Sequence, residues 1–374
     1  MSIASFGVVE RQAAEPLAAR DMFVTLCPRP GETLADLLGR AAAAVQARRA
    51  RILSMTLFNG RAQYAAAQAR FPAIFGPVAW PITQLQSEAG PPDDPAGVAI
   101  HALVDPAPAI HAICLRGRVV GNAWEDEFAQ YCVLGDLRDD AVNDPAPVQT
   151  RRVLQDMVET LRREGMTFRH VYRTWFRNRD ILAWYREFNQ VRTEFFNHHR
   201  VFDGPLPAST GISAGNPHGA ALVAGLWAML PKSPLATVAV VDSPLQDSAC
   251  RYGSSFSRAV EVRRGALRHL TVSGTASIGR DGKTLHVGDI VAQTELTMQV
   301  VRAILQSRGM DWADVAQGLV YCRHRGDVGA CARWGRANGV TLPVIEINHT
   351  VCRDDLLYEI ELDAQSAGAC ADSG

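Results

Sequence analysis

The chain has 374 residues, is 47% hydrophobic and 21% charged, and carries a formal net charge of -1. That balance gives no electrostatic attraction for nucleic acid or an anionic membrane, so the expected partner is a small molecule. No apolar run approaches the ~20 residues that span a bilayer, and the length suggests about two or three packed units.

In chain order, the first twenty residues carry Glu10, Arg11 and Glu15. They lack the charged-then-apolar order of a secretory signal, which predicts a cytoplasmic protein. TLADLLGRAAAAVQARRA then predicts a helix and RILSMTLFNG a strand, with PVAWPITQL and GVAIHALVD as further strand segments. Pro/Asp/Gly-rich loops follow at Ser87 to Gly97 and Asp139 to Pro147.

The same order recurs. PVQTRRVLQDMVETLRREGMTF predicts a helix, RHVYRTWFRN a strand and DILAWYREFNQVRTEFFNHH a second helix, before strands in LPASTGISAG and AALVAGLWAML. A last copy has a helix in DIVAQTELTMQVVRAILQSRGMDWADV, a strand in AQGLVYCRH and a strand pair around LPVIEINHTVCRDDLLYEIELD. Gln149-Thr150 and Gly165-Met166 of the second copy answer Gln293-Thr294 and Gly309-Met310 of the third. The copies divide the chain at 1–106, 107–235 and 236–374. Helices and strands in this order predict an α+β unit with helices on one face of a sheet. Three such units would pack as a pseudo-trimer, so a monomer would suffice.

In LLYEIEL the period of two puts Glu359 and Glu361 on one face, with Tyr358, Ile360 and Leu362 on the other. Alternation alone predicts a strand with one solvated acidic face. If that face is covered, burial raises a glutamate's pKa and makes it a proton donor near neutral pH. The eight cysteines form no C-x-x-C pair, which argues against a zinc site or a disulfide framework, and most are expected as buried thiols. His198-His199 ends a helix, where imidazoles cap carbonyls, and GRDGK predicts a turn at Asp281-Gly282. No phosphate-loop or dinucleotide fingerprint is present, and no cofactor or metal is expected.

The motifs GDIVAQTELTMQVVRAIL, GMDWADV, VYCR, a following LP and the late EIE resemble the RidA (YjgF) superfamily, small α+β trimers with clefts between subunits. Within it, VYRTW, EFNQVR, PASTGI, GSSFSRA, VSGTASI and VCRDDLLYEIE resemble the chorismatase group, which includes 3-hydroxybenzoate synthases. The resemblance implies tandem RidA-like units in an intramolecular pseudo-trimer, with a degenerate N-terminal unit. It also implies a cofactor-free enzyme that cleaves chorismate, a dicarboxylate, to pyruvate and a 3-hydroxybenzoate-type product. RidA imine deaminases carry an arginine shortly after LP, whereas this chain has Val344, Ile345 and Glu346.

From the resemblance, Glu359 is the expected general acid, with Glu361 its more ordinary neighbour, and Cys352 accompanies the aromatising enzymes. Cys352 is equally a small buried hydrophobe. Arg353, Arg192 and Arg173 are candidate carboxylate anchors, because guanidinium grips a carboxylate with two parallel hydrogen bonds; Arg173 is also a candidate structural ion-pair partner. Tyr252 is a candidate donor or an ordinary loop residue. Gly274 would leave room beside the ring, or mark a bulge. Two alternatives stay open: a RidA-like hydrolase of an imine, enamine or other enol ether, and a non-catalytic pseudo-trimer binding a small carboxylate.

Overall fold

A computed structural model describes residues 20–59, 63–86, 97–104, 109–252 and 254–367. The amino-terminal stretch, most of the loop after Ser87 and Cys370 lie outside the described residues. The described part is α+β, built on three sheets.

The first sheet holds β1 (Arg20–Leu26), β2 (Arg51–Asn59), β3 (Ile82–Gln86) and β4 (Gly97–Val104), with helices α1 (Leu34–Ala47) and α2 (Tyr64–Phe75). The second holds β5 (His111–Leu115), β6 (Arg118–Glu125), β7 (Ala129–Leu137), β8 (Val171–Asn178), β9 (Ala208–Ser213) and β10 (Leu222–Pro231). Its helices are α3 (Ala146–Arg163) and α4 (Ile181–His198). The third holds β11 (Ala236–Val241), β12 (Ala259–Arg264), β13 (Leu267–Ala276), β14 (Val315–Cys322), β15 (Val344–Asn348) and β16 (Tyr358–Ala367). Its helices are α5 (Ile290–Ser307) and α6 (Ala330–Asn338).

The six-stranded orders are β5-β6-β7-β10-β8-β9 and β11-β12-β13-β16-β14-β15, the same path through two sheets. The first sheet, β1-β4-β2-β3, keeps the last four positions of that path, with β2 and β3 parallel as β8 and β9 are.

Local chemistry repeats with it. Gln149 of α3 accepts from Ala221 N at 2.9 Å, and Gln293 of α5 accepts from Leu357 N at 2.8 Å, so each helix satisfies the amide at the start of its sheet's central strand. Thr150 and Thr294 donate back to Ala146 O and Ile290 O, both at 2.8 Å. Each helix ends in a left-handed glycine, Gly165 at φ 70° and Gly309 at φ 67°, a conformation that carries no Cβ penalty only in glycine. Helix starts are capped as well: Thr33 and Asp36 form a reciprocal box at α1, and Asp289 accepts from Val291 N and Ala292 N at α5.

Each sheet buries one face under its own helices, in clusters around Leu37 and Phe71, Met157 and Phe188, and Met298 and Leu305. The opposite faces meet one another, through Trp175 and Trp227 at one level and Phe58, Tyr321 and Ile345 at another. This corrects the solvated acidic face expected for β16. Its residues 358–364 are buried on both faces, one against α5 and the other against the neighbouring sheets.

The described cysteines are all free thiols, with Cys132, Cys322 and Cys331 buried, Cys27 and Cys352 half-buried, and Cys114 and Cys250 exposed. Fewer are buried than expected, because Cys114 sits on the outer face of edge strand β5 and Cys250 on a surface 3-10 turn. Among the described residues no helix is long and apolar enough to cross a membrane.

Candidate active site

The face of β16 that meets the second sheet carries Glu359 and Glu361, 5% and 4% exposed. Beside Glu359 lies a cavity of about 140 Å³ between the two sheets. The third sheet contributes Gly274 and Ala276 from β13, the loop residues Ser254, Phe256 and Arg258, and Cys352, Arg353 and Glu359. The second contributes Ser209 and Gly211 from β9, and Tyr185, Asn189 and Arg192 from one face of α4.

Glu359 accepts no hydrogen bond among the described residues. Burial, reinforced by the charge of Glu361, raises its pKa to about 8, against the pull of Arg173, Arg258 and Arg353. The acid therefore keeps its proton at neutral pH. Gly274 makes its position possible: a Cβ there would stand 2.1 Å from Glu359 Oε1. The room that Gly274 leaves belongs to the acid, and the β13–β16 register shifts between Val272 and Thr275, so the bulge is present too.

Arg192 is 3% exposed and donates to Asn189 Oδ1 at 2.7 Å. It has no acidic partner among the described residues, its Nε is unbonded, and its guanidinium lies 5.2 Å and 5.9 Å from the Phe188 and Phe256 ring centres. A buried guanidinium without a carboxylate is costly unless a ligand supplies one. Arg353 donates to Gly282 O at 2.6 Å, and Arg258 holds Asp247 O through Nε and Nη2 at 3.1 Å each. Burial pushes the Cys352 thiol up to about 12, so it is neutral, and Tyr185 hydrogen-bonds it.

The structure thus brings Glu359, Cys352, Arg353, Arg192 and Gly274 to one cavity. Arg173 lies outside its lining. It is 1% exposed, donates to Thr210 Oγ1 at 2.9 Å and pairs with Glu361. Tyr252 closes the 3-10 turn Ala249–Tyr252, just before the cavity segment, and its side chain lies outside the described residues. Glu346, where imine deaminases hold an arginine, accepts from Gly329 N, Cys331 N and Ala332 N and caps α6 instead.

Sequence reasoning passed over Arg258, although it lies within the GSSFSRA motif, and the α4 face of Tyr185 and Asn189. The latter is aimed by backbone that no periodicity marks, with Asp180 left-handed at φ 53° and Trp184 non-helical at φ -148°.

Neither of the other two central strands carries an acid at the position of Glu359. Each sheet's central pair skips one residue at the same point, between Val315 and Gln317, Val171 and Arg173, and Ile52 and Ser54. Counting from that bulge, Glu359 opposite Tyr321 corresponds to Val223 opposite Arg177 and Gly97 opposite Phe58.

No family model matches the chain. It is 29% identical over 204 residues to a chorismatase from Streptomyces rapamycinicus, a match covering 49% of this chain and 58% of that protein. It is 28% identical over 236 residues to a 3-hydroxybenzoate synthase from Streptomyces hygroscopicus, covering 57% and 68%. A chorismatase crystal structure superposes with a TM-score of 0.67 at 18% identity, over 94% of this chain and 100% of that one. The chain is therefore similar in sequence to chorismatases over about half its length, and it has the chorismatase fold over nearly all of it.

Proposed function

We propose that the protein cleaves the enolpyruvyl ether of chorismate to pyruvate and a 3-hydroxybenzoate-type product, with Glu359 as general acid. The observation that carries this reading is a buried, protonated glutamic acid sharing one cavity with arginines, one of which, Arg192, has no acidic partner among the described residues. An enol ether reacts through protonation of its methylene carbon. The resulting oxocarbenium is attacked by water or a neighbouring hydroxyl, and the ether C–O bond then breaks to release pyruvate. A neutral carboxylic acid supplies that proton, and the arginines suit two carboxylates. Cys352, neutral and beside the acid, lines the wall against which the ring would lie.

The same reading takes the chain as three units, 1–106, 107–235 and 236–374, acting without a cofactor, in the cytoplasm, with a monomer sufficient. In its support, each sheet is drawn from one of these segments and the cavity lies within a single chain.

Incubation with chorismate while pyruvate is followed tests the proposal. Wild type releases pyruvate, and Glu359→Gln lowers the rate on the order of 10²–10⁴-fold. Because the acid must be protonated, kcat/KM falls as pH rises through about 8. No pyruvate at high enzyme concentration would sink the proposal.

A further inference from the structure

Beside Glu359 stands a second device, with no counterpart on the other two central strands. Glu361 accepts from Trp175 Nε1 at 3.1 and 3.0 Å through its two oxygens, and from the Tyr321 hydroxyl at 2.9 Å, and it pairs with Arg173. The Arg173 guanidinium itself lies 4.6 Å from the centre of the Trp175 ring. Arg173 and Trp175 come from β8 and Tyr321 from β14, so the clamp needs two sheets at once.

Counted from the shared bulge, Glu361 corresponds to Gly225 and Ala99. Arg173 corresponds to Gln317 and Ser54, Trp175 to Leu319 and Thr56, and Tyr321 to Arg177 and Phe58. Neither of the other central strands has a carboxylate at this position. A buried ion pair gains little over apolar packing of the same shape, because desolvation offsets the attraction. On the three central strands such a pair stands only beside Glu359, where its charge bears on the acid.

We propose that Glu361 is a positioning residue for Glu359: fixed by Arg173, Trp175 and Tyr321, its charge two residues along the same strand face keeps the neighbouring carboxyl protonated among the arginines that receive an anionic substrate. Arg173 acts through Glu361 and does not contact substrate. The groups facing Glu359 are Glu361 on its own strand, Arg173 on β8, Tyr321 on β14, Arg258 before β12, and Cys352 and Arg353 before β16. Three guanidiniums favour the ionised acid, while burial and Glu361 oppose them. The catalytic meaning rests on the function proposed above, but the electrostatic claim does not.

The test uses the full chain without substrate. Difference infrared spectroscopy follows against pH the protonated-carboxyl stretch that Glu359→Gln removes. In Glu361→Gln its midpoint moves down by about one pH unit or more. In Glu361→Gln/Arg173→Met, which removes both charges and leaves no buried ion unpaired, it moves in the same direction by less. The double variant decides if the single one does not fold. The alkaline limb of kcat/KM for pyruvate release moves with the midpoint. If chorismate is not turned over, the proposed substrate is wrong and the infrared midpoint still decides the role of Glu361. A midpoint in the double variant at or above that of wild type overturns the inference, because a merely structural pair leaves the acid's titration unchanged.

Discussion

At residue 359, burial and charge act in opposite directions, and burial wins. The carboxyl binds its proton up to about pH 8 in the fold but only to about 4.5 when unfolded. Between those values the native state holds the extra proton, so stability falls as pH rises. Glu359→Gln removes that penalty: denaturant unfolding at pH 7 is expected to show a gain of up to about 3 kcal/mol, shrinking toward pH 4.5. An unchanged or lower stability at pH 7 would mean that Glu359 is ionised. Arg192 behaves differently, because no carboxylate is orphaned when it goes. Arg192→Met should hold or raise the unfolding midpoint, since a costly buried charge is removed, and raise KM for chorismate about 10- to 100-fold, the cost of a lost charged hydrogen bond. A lower kcat at unchanged KM would place Arg192 elsewhere in the reaction.

The site draws on three kinds of element. β16 supplies regular alternation and so the register of both glutamates; β13 supplies a bulge with room for a carboxyl. α4 supplies a face whose direction depends on a strained entry. Helix α6 shows the contrast between site and scaffold, since Glu346 serves its amides and does not line the cavity. Glu346→Ala is expected to cost about 1 kcal/mol, as for a lost helix cap, in denaturant unfolding, with pyruvate release unchanged. Strong loss of turnover in a folded variant would return Glu346 to the chemistry. The long helices and central strands were legible because their apolar periods are regular. β1, α2, α6 and the hairpin strands β5 to β7 and β11 to β13 were not marked as elements, being short, alanine-rich or partly wet on an edge.

Across the whole molecule, buried charge pairs join one sheet to another. Asp21 of β1 meets Arg264 of β12, with His101 at 2.7 Å, and all three side chains are buried. Despite burial, the Arg264 and His101 partners hold Asp21 well below the usual carboxylate range. Its contribution is therefore present above the unfolded pKa near 3.8 and lost as pH falls below it. Asp21→Asn strands Arg264 and should cost about 3–5 kcal/mol, measured at pH 7, with the difference from wild type narrowing in acid. A cost that stays constant as the pH falls below 3.8 would contradict this assignment.

By itself the sequence determined the repeat, the strand that carries Glu359 and Glu361, and the set of arginines from which anchors are drawn. Period two states which residues share a face, but a face is wet or dry according to what packs on it, and that partner lies far away in the chain. Arg173 and Glu361 are 188 residues apart, so no local pattern could separate Arg173, which is paired, from Arg192, which lacks an acidic partner among the described residues. Tertiary structure alone covered the acidic face of β16. Desolvation then made one glutamate an acid that is protonated at neutral pH and gave its neighbour a guanidinium.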